Sequence, residues 1–219
     1  MNSNPQDGTS VKKYGLALHT ASRELGLAIS NFADDSRCQT WNLDRDLATH
    51  LHQYLVEFIQ PQNWADLAFI AVAKGPGGFT GTRMGMVTAR TLAQQLDIPV
   101  FAISTLAAVA CRSSKKSIST QDIALQMPAQ RGQLFGAVYS VSSSSGVTEL
   151  FSDTVMTAES WQEKLESWEN SYQLIEVGSE LGSSVSSVLE LAYLEWQMGS
   201  RPDWSDALPF YGQHPVKGH

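Results

Sequence analysis

Cysteine is scarce in this 219-residue sequence: Cys38 and Cys111 stand far apart and form no CxxC pair. Such usage excludes a disulfide scaffold and a thiolate metal site, and leaves inert thiols as the plain reading. Long apolar runs are missing too. None approaches the roughly 20 residues that a membrane-spanning helix needs, and the polar stretch Met1 to Ser10 has no signal-peptide core. A cytoplasmic protein with no membrane partner is the expectation. Histidine offers no metal pair: His50 and His52 lie two residues apart, so on a helix they diverge by about 200° and cannot share an ion. His214 and His219 fall in the tail. No serine stands in a nucleophile-elbow pattern. Positive charge is short at one end: from Glu149 onward there are twelve acidic and three basic residues, within a formal net charge of -7. Such a surface repels phosphate backbones, and non-specific nucleic-acid binding is mostly electrostatic. A free-standing RNA-binding protein is therefore disfavoured.

What is present is an ordinary globular composition, 42% hydrophobic and 17% charged, on a chain long enough to bury a sizeable core. After a leader at 1–11, short apolar runs at 14–18, 26–29 and 37–41 predict three strands in an antiparallel meander. Leu43, Leu47, Leu51, Leu55, Phe58 and Ile59 recur at helical spacing and cover about 160° of arc. Either deep burial in one core or contact with both a core and a partner explains that width. Residues 67–73 form a continuous apolar run, the pattern of a buried parallel strand. A glycine-rich turn over 75–81 leads into a helix from Thr82 to Leu96, a strand over 100–103, and a small helix to Cys111 capped by Ser104 and Thr105.

An exposed loop over 112–120 and a second strand set follow, at 123–127, 133–141 and 147–156, with a serine-rich turn at 142–146. A helix over 157–168 has Ser160 and Glu163 spaced like a capping box. A strand over 172–177, a helix over 183–196 and an irregular tail from Arg201 complete the chain. The order strands, helix, strand, helix appears twice, which implies two similar lobes: 12–104 and 105–200, with 201–219 packing back as a tail.

The most specific stretch runs from Lys74 to Gly85 and reads KGPGGFTGTRMG. Gly75, Gly77, Gly78, Thr80 and Gly81 allow two readings: a phosphate cradle at a helix start, or a tight strand-to-helix turn. It is not a Walker loop, since no Gly-Lys-Ser/Thr closes it. The stretch resembles the GPGSFTGxRxG signature of the TsaB (YeaZ) family, with Gly78 where that family usually has Ser. Residues 18–22 (LHTAS), 129–133 (AQRGQ) followed by Tyr139, and 208–215 (LPFYGQHP) resemble the family's LDTS, DARxGEVY and proline–tyrosine segments.

The resemblance implies an α/β fold of two ribonuclease-H-like lobes, as in the actin-like ATPase superfamily, with mixed sheets flanked by helices. It further implies a subunit required for threonylcarbamoyl modification of adenosine 37 in tRNAs that read codons beginning with A. That subunit pairs with a catalytic homologue, TsaD; a small ATPase, TsaE, joins the assembly; tRNA is reached only through the complex; and a homodimer forms when the partner is absent. Actin-like enzymes keep a carboxylate near the start of the first strand, where this sequence has His19. Pro128 and Gln133 likewise replace acidic residues of the family. A neutral imidazole is a poor magnesium ligand, so no catalytic residue, metal or cofactor is expected, and at most weak nucleotide binding at the glycine loop. On the Thr82–Leu96 helix, Met84 and Val87 lie apart from the core-facing residues. Arg83, Met84, Val87 and Arg90, with Leu47 and Leu51, are the expected partner interface. An autonomous actin-like ATPase and a metallo-glycopeptidase remain as other readings.

Overall fold

The computed structural model describes residues 13–114, 120–142 and 146–212; the leader, part of the 112–120 loop, the serine-rich turn, His214 and His219 lie outside them. Two sheets carry the fold. In the first, β1 (Tyr14–His19), β2 (Glu24–Ser30) and β3 (Ser36–Asn42) form the antiparallel meander, and β4 (Leu67–Ala73) and β5 (Val100–Ile103) add in parallel, in the order β3-β2-β1-β4-β5. In the second, β6 (Gln121–Pro128), β7 (Leu134–Ser142) and β8 (Gly146–Met156) repeat the meander, and β9 (Tyr172–Glu176) lies parallel to β6, in the order β8-β7-β6-β9. Both sheets set the first strand of a meander beside a parallel strand, so the doubled pattern in the sequence is a repeated topology.

Helices cover the faces. On one face of the first sheet, α1 (Leu47–Ile59) and α2 (Phe79–Leu96) bury Leu51, Leu55, Met86, Ala89 and Ala93 against Leu16, Leu18, Leu27 and Ile70. The alternate residues of the same strands, Ala17, Ala28, Phe69 and Ala71, face the other way, as the period of two requires. They meet α3 (Thr105–Ser114) and α5 (Val185–Gln197) through Ala108, Cys111, Val185, Val188 and Ala192. Thus α5, late in the chain, packs on the first sheet; a boundary after residue 104 separates the sheets but not this helix. α3 also covers the second sheet with Leu106, Val109 and Ala110, while α4 (Ala158–Glu166) closes that sheet's outer face with Trp161 and Leu165.

Three local expectations are corrected. α2 starts at Phe79 rather than Thr82, with Gly78 as its N-cap and the Thr82 amide already bonded to the Gly78 carbonyl. α4 is capped by Thr157, whose hydroxyl accepts from the Ser160 amide, so Ser160 is not the cap. α1 begins at Leu47, after a 3-10 turn at Asp44–Asp46. Elsewhere Ser104 caps α3 as expected, accepting from the Ala107 amide.

Candidate functional site: a cleft between the lobes

A cavity of about 990 Å³ opens between the two sheets, at the large end of the range for ligand sites. Residues 44–48 and 177–181 help to wall it, and four further segments far apart in sequence complete it: the β1–β2 turn (Ala21, Ser22, Arg23), the start of α2 with its glycine loop (Gly77 to Gly81, Met84), the turn after β6 (Pro128 to Arg131) and Tyr211 of the tail. These four are the segments in which the sequence motifs were recognised. Gly77, Gly78, Thr80 and Gly81 line the cavity; Gly75 does not.

The glycines are needed for packing. A Cβ on Gly77 would lie 2.2 Å from the Ala21 carbonyl oxygen, and one on Gly81 would lie 2.1 Å from that of Thr20. The loop is pressed onto the β1–β2 turn, and the Gly78 amide donates to Ala21 O at 2.7 Å. The Thr20 hydroxyl donates to Gly81 O at 2.8 Å. Gly78 differs: its nearest neighbour would stand 3.6 Å from a Cβ, so the family's serine fits there. The tight-turn reading of Gly77 and Gly81 therefore holds whether or not an anion is ever bound.

The cleft has a basic rim that no local sequence pattern announced. Of the eight arginines in the chain, Arg23, Arg45 and Arg131 line it, and Arg83 stacks over the Phe79 ring, 5.3 Å from its centroid, at the head of α2. Asp44 is the one carboxylate in the lining and pairs with Arg23 at 3.6 Å. Arg131 holds a left-handed backbone, φ 58°, which is uncommon for a residue with a side chain. The floor is apolar: Leu47, Met127, Phe135 and Leu181. An ordinary anion with an apolar body suits such a lining.

His19 is not part of it. The residue is 0% exposed, on the α3 and α5 side of β1, and neither ring nitrogen has a hydrogen-bond partner among the described residues. Burial, helped by the positive charge of Arg112, drops its pKa from 6.5 to about 4. The imidazole is neutral and shut away from the cleft. Tyr139 also lies outside the cleft lining. Its hydroxyl donates to Asp153 at 2.7 Å, and the Ser104 hydroxyl donates to the other oxygen of that carboxylate at 2.6 Å. Burial pushes both Asp153 and Tyr139 above their ordinary pKa values. This cluster ties the β5–α3 connection to the second sheet. Among the described residues no three His, Cys, Asp or Glu side chains are grouped to hold a metal ion, and no helix is long and apolar enough to cross a membrane.

The expected interface residues divide. Val87 is 62% exposed and Arg83 is exposed. Met84 is half-buried against the core and faces the cleft. Arg90 stacks over Trp204 of the tail. Leu47 and Leu51 are corrected: at 5% and 0% exposure they belong to the first core. The wide apolar arc of α1 reflects contact with the sheet, with α2 and with Trp41, whose ring lies against Tyr54 and Phe58. The surface residue of α1 that the wheel did not single out is Val56, 54% exposed.

The fold is thus two lobes built on one repeated sheet pattern, mixed sheets flanked by helices, with a cleft between them. A model of the family described as TsaD, tRNA N6-adenosine threonylcarbamoyltransferase, matches residues 49–171, over half of the chain. The TsaB protein of Buchnera aphidicola from Acyrthosiphon pisum, named for tRNA threonylcarbamoyladenosine biosynthesis, is 27% identical over 135 residues, 61% of each chain. That of Bacillus subtilis strain 168 is 42% identical over 74 residues, 34% of this chain and 31% of the relative. The chain thus spans less than two thirds of the length of either curated relative. The solved structure of YeaZ from Pseudomonas aeruginosa shares the fold, with a TM-score of 0.74 at 20% identity over 90% of this chain and 100% of that one. This chain belongs to the family of that model, tRNA N6-adenosine threonylcarbamoyltransferase, and is similar to TsaB and YeaZ proteins.

Proposed function

We propose that this protein is a non-catalytic subunit in threonylcarbamoyladenosine modification of tRNA, and that it acts by docking on a catalytic homologue of the TsaD type. TsaE and tRNA would meet it only within that assembly. The observation that carries the reading is the outer surface of α1 and α2. The two helices lie side by side on one face of the first sheet, and each exposes a valine, Val56 at 54% and Val87 at 62%. Each helix is more than three turns long, and such a pair can supply the roughly 800 Å² per side of an ordinary interface. The sealed, neutral His19 supports the lack of chemistry: the carboxylate position of an actin-like enzyme holds a group that reaches neither solvent nor the cleft.

The test is co-purification with the catalytic homologue from the native cell, with Val56→Asp and Val87→Asp introduced together. Both positions are exposed, so stability should change by less than about 0.5 kcal/mol per site. A buried interface centre, in contrast, should lose at least about 2 kcal/mol, or thirtyfold in affinity. Pairing retained at the wild-type level would reject the surface.

A second reading, an actin-like nucleotide-binding protein, draws on the arginine-rimmed cleft. Calorimetric titration of the isolated chain with magnesium-ATP, followed by a phosphate-release assay, separates the two: turnover at an enzyme-like rate would favour this alternative.

A further inference from the structure

The tail of the described chain does more than return to the fold. Residues 201–206 are fastened to the first lobe. The Val100 amide donates to Pro202 O, Arg90 stacks over Trp204, and Asp203 caps the 3-10 turn Trp204–Asp206 through the Ser205 amide. Ala207, 2% exposed, is set into the first core. Beyond it the character of the contacts changes. None of residues 208–212 is buried, and Leu208 is 63% exposed. Yet this stretch crosses from one lobe to the other at the edge of the cleft. The Phe210 amide donates to Lys74 O at 2.6 Å on the first lobe. The Phe210 ring meets Phe135 of the second lobe edge-on at 6.3 Å, and the Tyr211 ring lies against Phe79 with centroids 4.7 Å apart. Both Phe79 and Phe135 line the cleft, as does Tyr211 itself.

The first glycine of the signature loop is shaped to this strap. Gly75 has φ +101°, and a Cβ there would lie 2.4 Å from the Phe210 carbonyl oxygen; the next neighbour, Thr82, would be in ordinary contact at 3.6 Å beyond Phe210 itself. The close approach that forbids a side chain at Gly75 is thus the approach of the tail. Gly75 is the one glycine among the predicted loop residues that does not face the cleft, and the strap accounts for it.

We propose that residues 208–212 form a movable gate on the interlobe cleft, hinged at Ala207 and latched on the notch at Gly75. Its anchor is buried, its span is not, and its latch is one backbone hydrogen bond with two half-buried rings. Segments of that kind open far more readily than a core strand. When the gate is latched, Tyr211 is a wall of the cleft; when it swings, the apolar floor beside Phe135 meets solvent along that side.

The test uses the full chain carrying Cys38→Ser, which removes the exposed native thiol, and Ser22→Cys, which places a thiol in the cleft lining; Cys111 is buried. Labelling by a disulfide reagent is timed under native conditions. Adding Phe210→Ala, Tyr211→Ala or Gly75→Ala should speed labelling about tenfold, whereas Leu208→Ala, at an exposed position of the same strap, should not. Unchanged rates in the first three variants, with melting temperatures near that of the parent, would overturn the gate. Should those variants fold poorly, amide hydrogen exchange on the unmodified chain decides. The Phe210 amide should exchange at least about a hundredfold faster than those of Ile70 to Ala73 in β4; equal protection would mean that the strap opens only when the whole fold does, and the proposal falls.

Discussion

Acid should reveal His19 as a buried, neutral base. In the unfolded chain its imidazole titrates at the ordinary 6.5; in the native protein burial lowers that to about 4. Between those values the unfolded state binds a proton that the folded state refuses. The stabilising effect of exclusion is therefore complete above pH 6.5 and is lost as pH falls, levelling off below about pH 4. The two values give a loss of about 2 kcal/mol by pH 5 and about 3 kcal/mol by pH 4, relative to pH 7.5. Urea denaturation followed by circular dichroism at steps between those pH values measures it. The comparison is His19→Leu, similar in size and unable to titrate. Near neutral pH that variant should be at least as stable as the parent, because two unpartnered buried nitrogens are removed. On acidification it should lose about 2 kcal/mol less than the parent by pH 5. Every other titrating group is shared, so the difference isolates His19. Parallel curves for the two proteins would refute the reasoning and mean that the imidazole is hydrated or charged in the native state.

Two further outcomes concern the first lobe. Arg37 latches the edge strand β3 to the end of α1: its Nη2 lies 2.6 to 3.1 Å from the Phe58, Ile59 and Gln60 carbonyls and Gln62 Oε1, with two hydrogens to share among them. Arg37→Ala should cost about 2 kcal/mol after discounting for partial exposure, or about 4–8 °C in melting temperature; a shift under about 1 °C would contradict the latch. In the glycine loop, Gly78→Ser should be neutral or slightly stabilising, as a serine at an N-cap should be. Gly77→Ser should cost more than about 2 kcal/mol, because its Cβ meets the Ala21 backbone. Equal melting temperatures for the two variants would show that the loop relaxes away from the β1–β2 turn.

The sequence was most legible where periodicity and burial agree. The continuous apolar run 67–73 is a parallel strand buried from both sides, and the meanders, α2 and α5 lie within a few residues of where spacing puts them. The start of α2 was misplaced because Gly78, Phe79 and Thr80 look like loop composition; the helix begins there because the loop is anchored on Ala21, a contact 57 residues away in sequence. Leu47 and Leu51 looked like surplus apolar surface because a helical wheel counts faces but not neighbours, and α1 has neighbours on more than one side. The site was legible by resemblance at its motifs and hidden at its chemistry. Arg23, Arg45 and Arg131 are solitary residues in three separate turns, and only the folded chain gathers them. Nothing local distinguishes His19 from an exposed histidine; the alternation of β1 and the arrival of α5 decide its fate.

That arrival has a consequence for how the molecule is made. The side of the first sheet that carries Ala17, Phe69 and Ala71 is closed by Val185, Val188 and Ala192. A nascent polypeptide leaving the ribosome therefore holds a half-clothed sheet until α5 has been synthesised, more than 80 residues after the sheet's last strand.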